Sequence, residues 1–190
     1  MTLRRSGLRR IASALAAALL VGMAGCGPDD RADEVAKEIW YLGSTEVGSR
    51  SRAAEALGSS GDARSVKPLI GALDDATWAV RKRAAEALGK LGDARAVAPL
   101  ICCVKDGNAD LRSIALESLV KLGRPSAEPL IACLKDGDPF VRERAAQTLG
   151  KLGDVRAIPP LAECLKDPDA DVCAAATAAL DALRKQSSKP

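Results

Sequence analysis

The sequence predicts an all-α protein, an α-solenoid of about five stacked helical hairpins. Three observations carry that prediction. Pro68, Pro99, Pro129 and Pro160 stand 31, 30 and 31 residues apart, and Val80, Leu111, Val141 and Val172 stand at the same three separations. So short a period belongs to stacked modules rather than to a globule around one pocket. Within each period the apolar residues follow three-to-four spacing, and no stretch alternates as a strand would. Aromatic residues make up only 2% of the chain, which suits thin repetitive layers better than one central core.

The first 25 residues are different material. Arg4, Arg5, Arg9 and Arg10 precede the apolar run Ile11 to Ala24, and no acidic residue occurs before Asp29. That pattern reads as a secretory leader. Its apolar run is too short for a membrane-spanning helix of about 20 residues. The leader ends in Met23-Ala24-Gly25-Cys26, which resembles a bacterial lipobox with Met23 where such motifs usually carry Leu. The resemblance implies that Cys26 is lipidated, becomes the mature N-terminus, and tethers the chain to a membrane of the bacterial cell envelope. An uncleaved anchor and a simple secreted protein are the alternatives. Residues 26–32 form a short polar linker. The leader holds four of the 28 basic residues and none of the 25 acidic ones, so the chain from Cys26 onward has 24 against 25 and a net charge of −1. A nucleic-acid binder would keep a basic stripe, so nucleic acid is excluded as a partner.

The repeats occupy residues 33–184, divided at 33–61, 62–92, 93–123, 124–153 and 154–184. The first is degenerate and is found by counting back 31 residues from Ala84-Ala85-Glu86-Ala87-Leu88-Gly89 to Ala53-Ala54-Glu55-Ala56-Leu57-Gly58. In the second, Pro68 opens a first helix, where a missing N–H does no harm, and Leu69, Ile70 and Leu73 form its apolar face. A second helix starts after a polar capping residue, and Thr77, Asn108, Asp138 and Asp169 hold that place in successive repeats. Val80, Ala84, Leu88 and Leu91 then make one buried stripe. Gly92, Gly123 and Gly153 end these helices where a left-handed residue is wanted. Alanine at positions such as Ala85, Ala115 and Ala146 lets neighbouring helices approach. At roughly 25 cal/mol per Å² of apolar surface, one hairpin cannot offset its own ordering entropy, so stability comes from the interfaces between repeats. Residues 185–190 read as a disordered tail.

The run G-D-x-R-A-V-x-P-L followed by D-x-x-x-V-R-x-x-A-A-x-A-L-G-x-L-G resembles HEAT repeats of the short bacterial class related to phycobilin lyases. The resemblance implies five HEAT-like hairpins that bind macromolecules on their surface. It also implies a ladder in which an Asp and an Arg six residues apart link neighbouring repeats: Asp75 with Arg81, Asp106 with Arg112, and Asp136 with Arg142. In the last repeat Cys173 stands where Arg is expected after Asp167, so the ladder ends there. Deoxyhypusine hydroxylase, another HEAT-like protein, holds iron with His-Glu pairs, and this chain has no histidine.

Without histidine, neither a catalytic triad nor a histidine metal site can be written, and no residue is assigned a catalytic role, a metal or a cofactor. Cys103, Cys133 and Cys164 share one repeat position with Ala72. That position reads as a small apolar one, which Cys fills well. Helices of adjacent repeats lie about 8 to 10 Å apart, too far for a ladder of disulfides that need Cα atoms within about 7 Å. What remains is surface. Arg83, Glu86 and Arg144 lie on the face of the second helices expected to line the inner surface of the solenoid, and Trp78 and Phe140 stand near helix starts where other repeats carry Ala109, Pro139 or Asp110. These five are the candidates for binding a protein or peptide partner, while Trp40 and Tyr41 read as a cover for the open edge of the first repeat. The sequence therefore reads as an envelope-anchored scaffold or adaptor without chemistry of its own. A lyase-like accessory and a purely structural spacer are the alternatives.

Overall fold

The computed structural model describes residues 33–187, and both Cys26 and the leader lie outside them. Ten α-helices follow one another, and no strand occurs among the described residues. The helices are α1 Glu34–Tyr41, α2 Val47–Ser59, α3 Val66–Ala72, α4 Trp78–Leu91, α5 Val97–Cys103, α6 Ala109–Leu122, α7 Ala127–Cys133, α8 Pro139–Leu152, α9 Ile158–Glu163 and α10 Ala170–Ser187. They pair as five hairpins. Helix α10 runs to Ser187, past the boundary expected at Arg184, because Leu183 is fully buried and holds the last turns onto the core.

Local chemistry explains most boundaries. The side chain of Asn108 accepts from Leu111 N at 3.0 Å, that of Asp138 from Phe140 N at 3.0 Å, and that of Asp169 from Asp171 N at 2.9 Å. Each satisfies an N–H that the first helical turn leaves open. Thr77 holds the same place, but its side chain does not cap the helix. Gly92 and Gly153 end their helices at φ 70° and 77°, the left-handed conformation that a residue with a Cβ adopts at a cost. Pro68 does not open its helix. A 3-10 turn, Ala63–Ser65, leads into α3, and Pro68 is the third residue of that helix, still within the turn whose N–H groups have no helical acceptor.

The second helices, α2, α4, α6, α8 and α10, form one layer and carry most of the packing between repeats, while the short first helices pack mainly on their own partners. Leu57, Leu88, Leu119 and Leu149 are fully buried at one position of that layer. Trp40 and Tyr41 do not close the first edge. Their rings meet edge-on at 5.1 Å and remain 49% and 37% exposed, while Val35, Ile39 and Leu42 make the apolar contact with the core.

Candidate functional site

Two series of contacts join the repeats, and both change at the junction between the third and fourth. The first is polar. Arg50 grips the Asp75 carboxylate with Nε at 2.7 Å and Nη2 at 3.0 Å, and Arg142 grips Asp167 with both nitrogens at 2.8 Å. Arg81 reaches Asp106 with Nη2 alone at 3.1 Å. In each of the last three repeats that carry it, the same Arg also donates from Nη1 to the backbone oxygen of the Asp six residues earlier: Arg81 to Asp75, Arg112 to Asp106 and Arg142 to Asp136. The side chain thus spans from its own turn to the next repeat's carboxylate.

Arg112 departs from the series. It bonds only the carbonyl oxygens of Asp106 and Gly107, its Nε, like that of Arg81, is buried without a partner, and Asp136 is instead taken by Lys105 at 2.6 Å. Its guanidinium lies 4.9 Å from the centre of the Phe140 ring, and that of Arg144 lies 5.1 Å from it. Phe140 is therefore half-buried between two cations rather than free at a loop tip, held by the attraction of the ring face for a guanidinium. Trp78 is 43% exposed. In the last repeat Cys173 replaces the Arg, and its Sγ donates to the Asp167 backbone oxygen at 3.2 Å, the acceptor that Arg uses elsewhere. Among the described residues no further carboxylate-bearing turn lies beyond α10 for an Arg at this place to reach.

The second series is apolar. A Cβ on Gly58 would stand 2.5 Å from that of Ala87, one on Gly89 would stand 2.6 Å from Ser118 Oγ, and one on Gly150 would stand 2.8 Å from Ala179 Cα. These glycines let consecutive second helices nearly touch, and Ser118 Oγ donates to Ala85 O at 2.9 Å across one such contact. At the third repeat the equivalent residue is Val120, and one turn earlier Leu116 stands where Ala54, Ala85 and Ala146 stand in the others. Two larger side chains hold α6 and α8 apart. The connection is altered too: Gly123-Arg124-Pro125 is one residue shorter than Gly92-Asp93-Ala94-Arg95 and lacks its Asp, and Gly123 has ψ −143° where Gly92 has 15°.

The result is a groove of about 360 Å³ between α6 and α8. Leu116 and Val120 are half-buried on one side, and Thr148 is buried on the other. Lys121, Arg144 and Lys151 stand around it with Glu117 as its acidic member. Of the residues expected from sequence to bind a partner, Arg144 is brought into this groove, whereas Arg83 and Glu86 pair with each other at 2.9 Å on α4. Gln147 replaces that glutamate in the fourth repeat and accepts from Arg144 Nη1 at 3.0 Å, while Glu143 lies 4.0 Å from Arg144 Nε. Sequence reading missed the groove residues Leu116 and Val120. The signal was present in the register Gly58, Gly89, Val120, Gly150.

A third set of contacts fixes the turns. Asp62, Asp93 and Asp154 accept from the backbone N–H and guanidinium of Arg64, Arg95 and Arg156 two residues on. The side-chain bond from Arg, helped by the backbone N–H, lowers the carboxyls of Asp93 and Asp154 to about 2. Burial disfavours the thiolate form of Cys103, Cys133 and Cys164. Cys103 and Cys164 are buried, and burial pushes the Cys103 thiol up to about 12 and raises that of Cys164. Among the described residues no cluster of three or more His, Cys, Asp or Glu side chains is gathered as for a metal ion.

Stacked helical hairpins tied by turn-to-turn Arg contacts define an α-solenoid repeat protein. The chain matches the family described as HEAT repeats over residues 39–120 and 99–181, and it belongs to that family. It is 30% identical to a chain in the complex of CpcE and CpcF of phycocyanin lyase from Nostoc sp. PCC7120, covering 83% of this chain and 68% of that one with a TM-score of 0.57. The MAST/Orbit N-terminal domain is 21% identical over 80% of this chain and 84% of its own, with a TM-score of 0.61. A TOG-domain array of a microtubule polymerase is 11% identical over 77% and 39%, with a TM-score of 0.58. At these identities the last two show the fold alone. A comparison with curated proteins finds no match.

Proposed function

We propose that the chain is a lipid-anchored adaptor of the bacterial cell envelope that holds a protein or peptide partner on its layer of second helices and performs no chemistry of its own. The observation that carries this reading is the interruption between α6 and α8. A uniform spacer needs no groove, and replacing the close-contact glycine with Val120 forgoes packing that the neighbouring junctions make. The complex in which the similar Nostoc chain occurs supports it as well, since that structure contains two different proteins together. The anchor rests on the basic leader and Cys26. Capture of one defined partner from solubilised envelope by the wild-type chain tests the adaptor reading, and the absence of any specific partner would count against it. Changing Cys26→Ser should move the protein from the detergent phase to the aqueous phase. An unchanged distribution would remove the anchor from the proposal.

The second reading, a lyase-like accessory that helps attach a bilin to a partner's cysteine, is favoured by the 30% identity to the phycocyanin lyase chain. Bilin transfer to a phycocyanin subunit in the presence of this chain is the direct test.

A further inference from the structure

We propose that the groove between α6 and α8 is the partner-binding site, and that it takes a protein segment in which an apolar side chain is followed closely by carboxylates. The proposal rests on the adaptor reading and gives its partner a chemistry. The floor of the groove is aliphatic, Leu116 and Val120, and both are half-buried because the helix that would cover them is held away. A volume of about 360 Å³ accommodates one large aliphatic or aromatic side chain with its neighbours. An apolar residue entering there completes the contact that a close-packed α8 makes at other junctions.

The rim selects the flanking charge. Lys121, Arg144 and Lys151 face Glu117, an excess of cations that the equivalent positions one repeat earlier do not show, because there Ile114 stands in place of Arg144 and two glutamates, Glu86 and Glu117, accompany Lys90 and Lys121. Gln147, where the two preceding repeats carry Glu86 and Glu117, accepts from Arg144 Nη1 at 3.0 Å, so the charge beside Arg144 comes from Glu143 alone, 4.0 Å from its Nε. Lys121 and Lys151 lie in the last turns of α6 and α8, at the end where helix carbonyls concentrate negative potential and hold lysines in place. A segment lying along the groove with its apolar residue on Val120 would therefore meet cations toward those helix ends. The segment is acidic because complementary charge at a rim sets specificity and encounter rate.

The probe is a short fluorescent peptide with one leucine followed by two glutamates, titrated against the full chain in detergent micelles by fluorescence anisotropy. Controls are the same peptide with alanine for leucine and with lysines for the glutamates. The acidic leucine peptide should bind at least about tenfold more tightly than either control, and added salt should weaken it. Lys121→Glu combined with Lys151→Glu should lower its affinity by about tenfold or more and invert the preference toward the lysine peptide. Lys90→Glu, the matching position on α4, should leave it unchanged. Equal binding of all three peptides, or equal loss with Lys90→Glu, overturns the proposal. Because both lysines are exposed, circular dichroism should be unaltered in the double variant. Inverted preference also separates lost recognition from lost folding, since an unfolded variant prefers neither peptide. Capture of the same envelope partner by wild type and double variant alike would overturn the groove while leaving the adaptor reading standing. Failure of the wild type to capture any partner would count against the adaptor reading itself.

Discussion

Arg142 makes four hydrogen bonds and Arg112 two, although the two occupy the same place in consecutive repeats. The difference lies in the carboxylate each can reach. Arg142 and Asp167 are 13% and 10% exposed, so removing the Arg leaves a largely desolvated carboxylate with a backbone N–H from Asp169 as its remaining donor. Arg142→Ala should lower the urea midpoint clearly, because a partly buried carboxylate loses its bidentate partner. Arg112→Ala should cost less, because Asp136 keeps Lys105. Urea midpoints of the two variants decide the matter, and equal losses would show that the bidentate contact to the next repeat contributes nothing measurable. A second residue-level consequence concerns acid. The carboxyls of Asp93 and Asp154 are depressed to about 2 from an ordinary 3.8. A depressed carboxyl stabilises the folded state fully above its unfolded pKa and loses that contribution as pH falls toward the folded one. The denaturation midpoint should therefore drop between about pH 4 and pH 2, and Asp93→Asn should make that drop shallower. A slope identical in Asp93→Asn and wild type would show that the turn carboxylate is not linked to folding.

Helix packing follows from what stands at the close-contact position. A Cβ on Gly89 would come within 2.6 Å of Ser118 Oγ and 3.0 Å of Ser118 Cα, so the backbone of α6 would have to move. Gly89→Val should separate α4 from α6 and break the bond from Ser118 to Ala85. The loss in stability should be about 1 to 3 kcal/mol or more, the usual cost of overpacking. An unchanged thermal midpoint would mean that the contact is slack. Most of the helices were legible in the sequence because their determinants are local. Caps at Asn108, Asp138 and Asp169, a left-handed Gly92, and the stripe from Val80 to Leu88 each act within a turn or two of themselves. The groove was not legible in that way, because it depends on a glycine of one helix facing a side chain about 30 residues on. The sequence register also placed Phe140 among free anchors, whereas Arg144, one turn along the same helix, and Arg112, from the preceding repeat, place their guanidinium groups against its ring. Arg50 was missed as a linking residue because its own repeat carries no matching Asp six residues before it. Its Nη1 uses the carbonyls of Ser44 and Thr45 instead.

At the scale of the whole solenoid, stability is a sum over hairpins and the interfaces between them, so a weak interface divides the array. The junction between the third and fourth repeats lacks the Arg-carboxylate contact, replaces the close-contact glycine with Val120, and shortens the connecting turn. Each of the other junctions keeps the first two features. The boundary should therefore separate two cooperative blocks, one ending at Leu122 in α6 and the other beginning at Ala127 in α7. Native-state hydrogen exchange at low denaturant measures this directly, because amides that open together share one free energy. Amides of α4 should report one value, and those of α8 and α10 another. If every buried amide from α2 to α10 instead shared a single opening free energy, the junction would be as strong as its neighbours and the seam would not exist. A segment bound in the groove would bridge the two blocks, because its binding energy is available only when both walls are folded. Adding the acidic leucine peptide should draw the two opening free energies together, whereas a ligand bound within one block would raise that block alone.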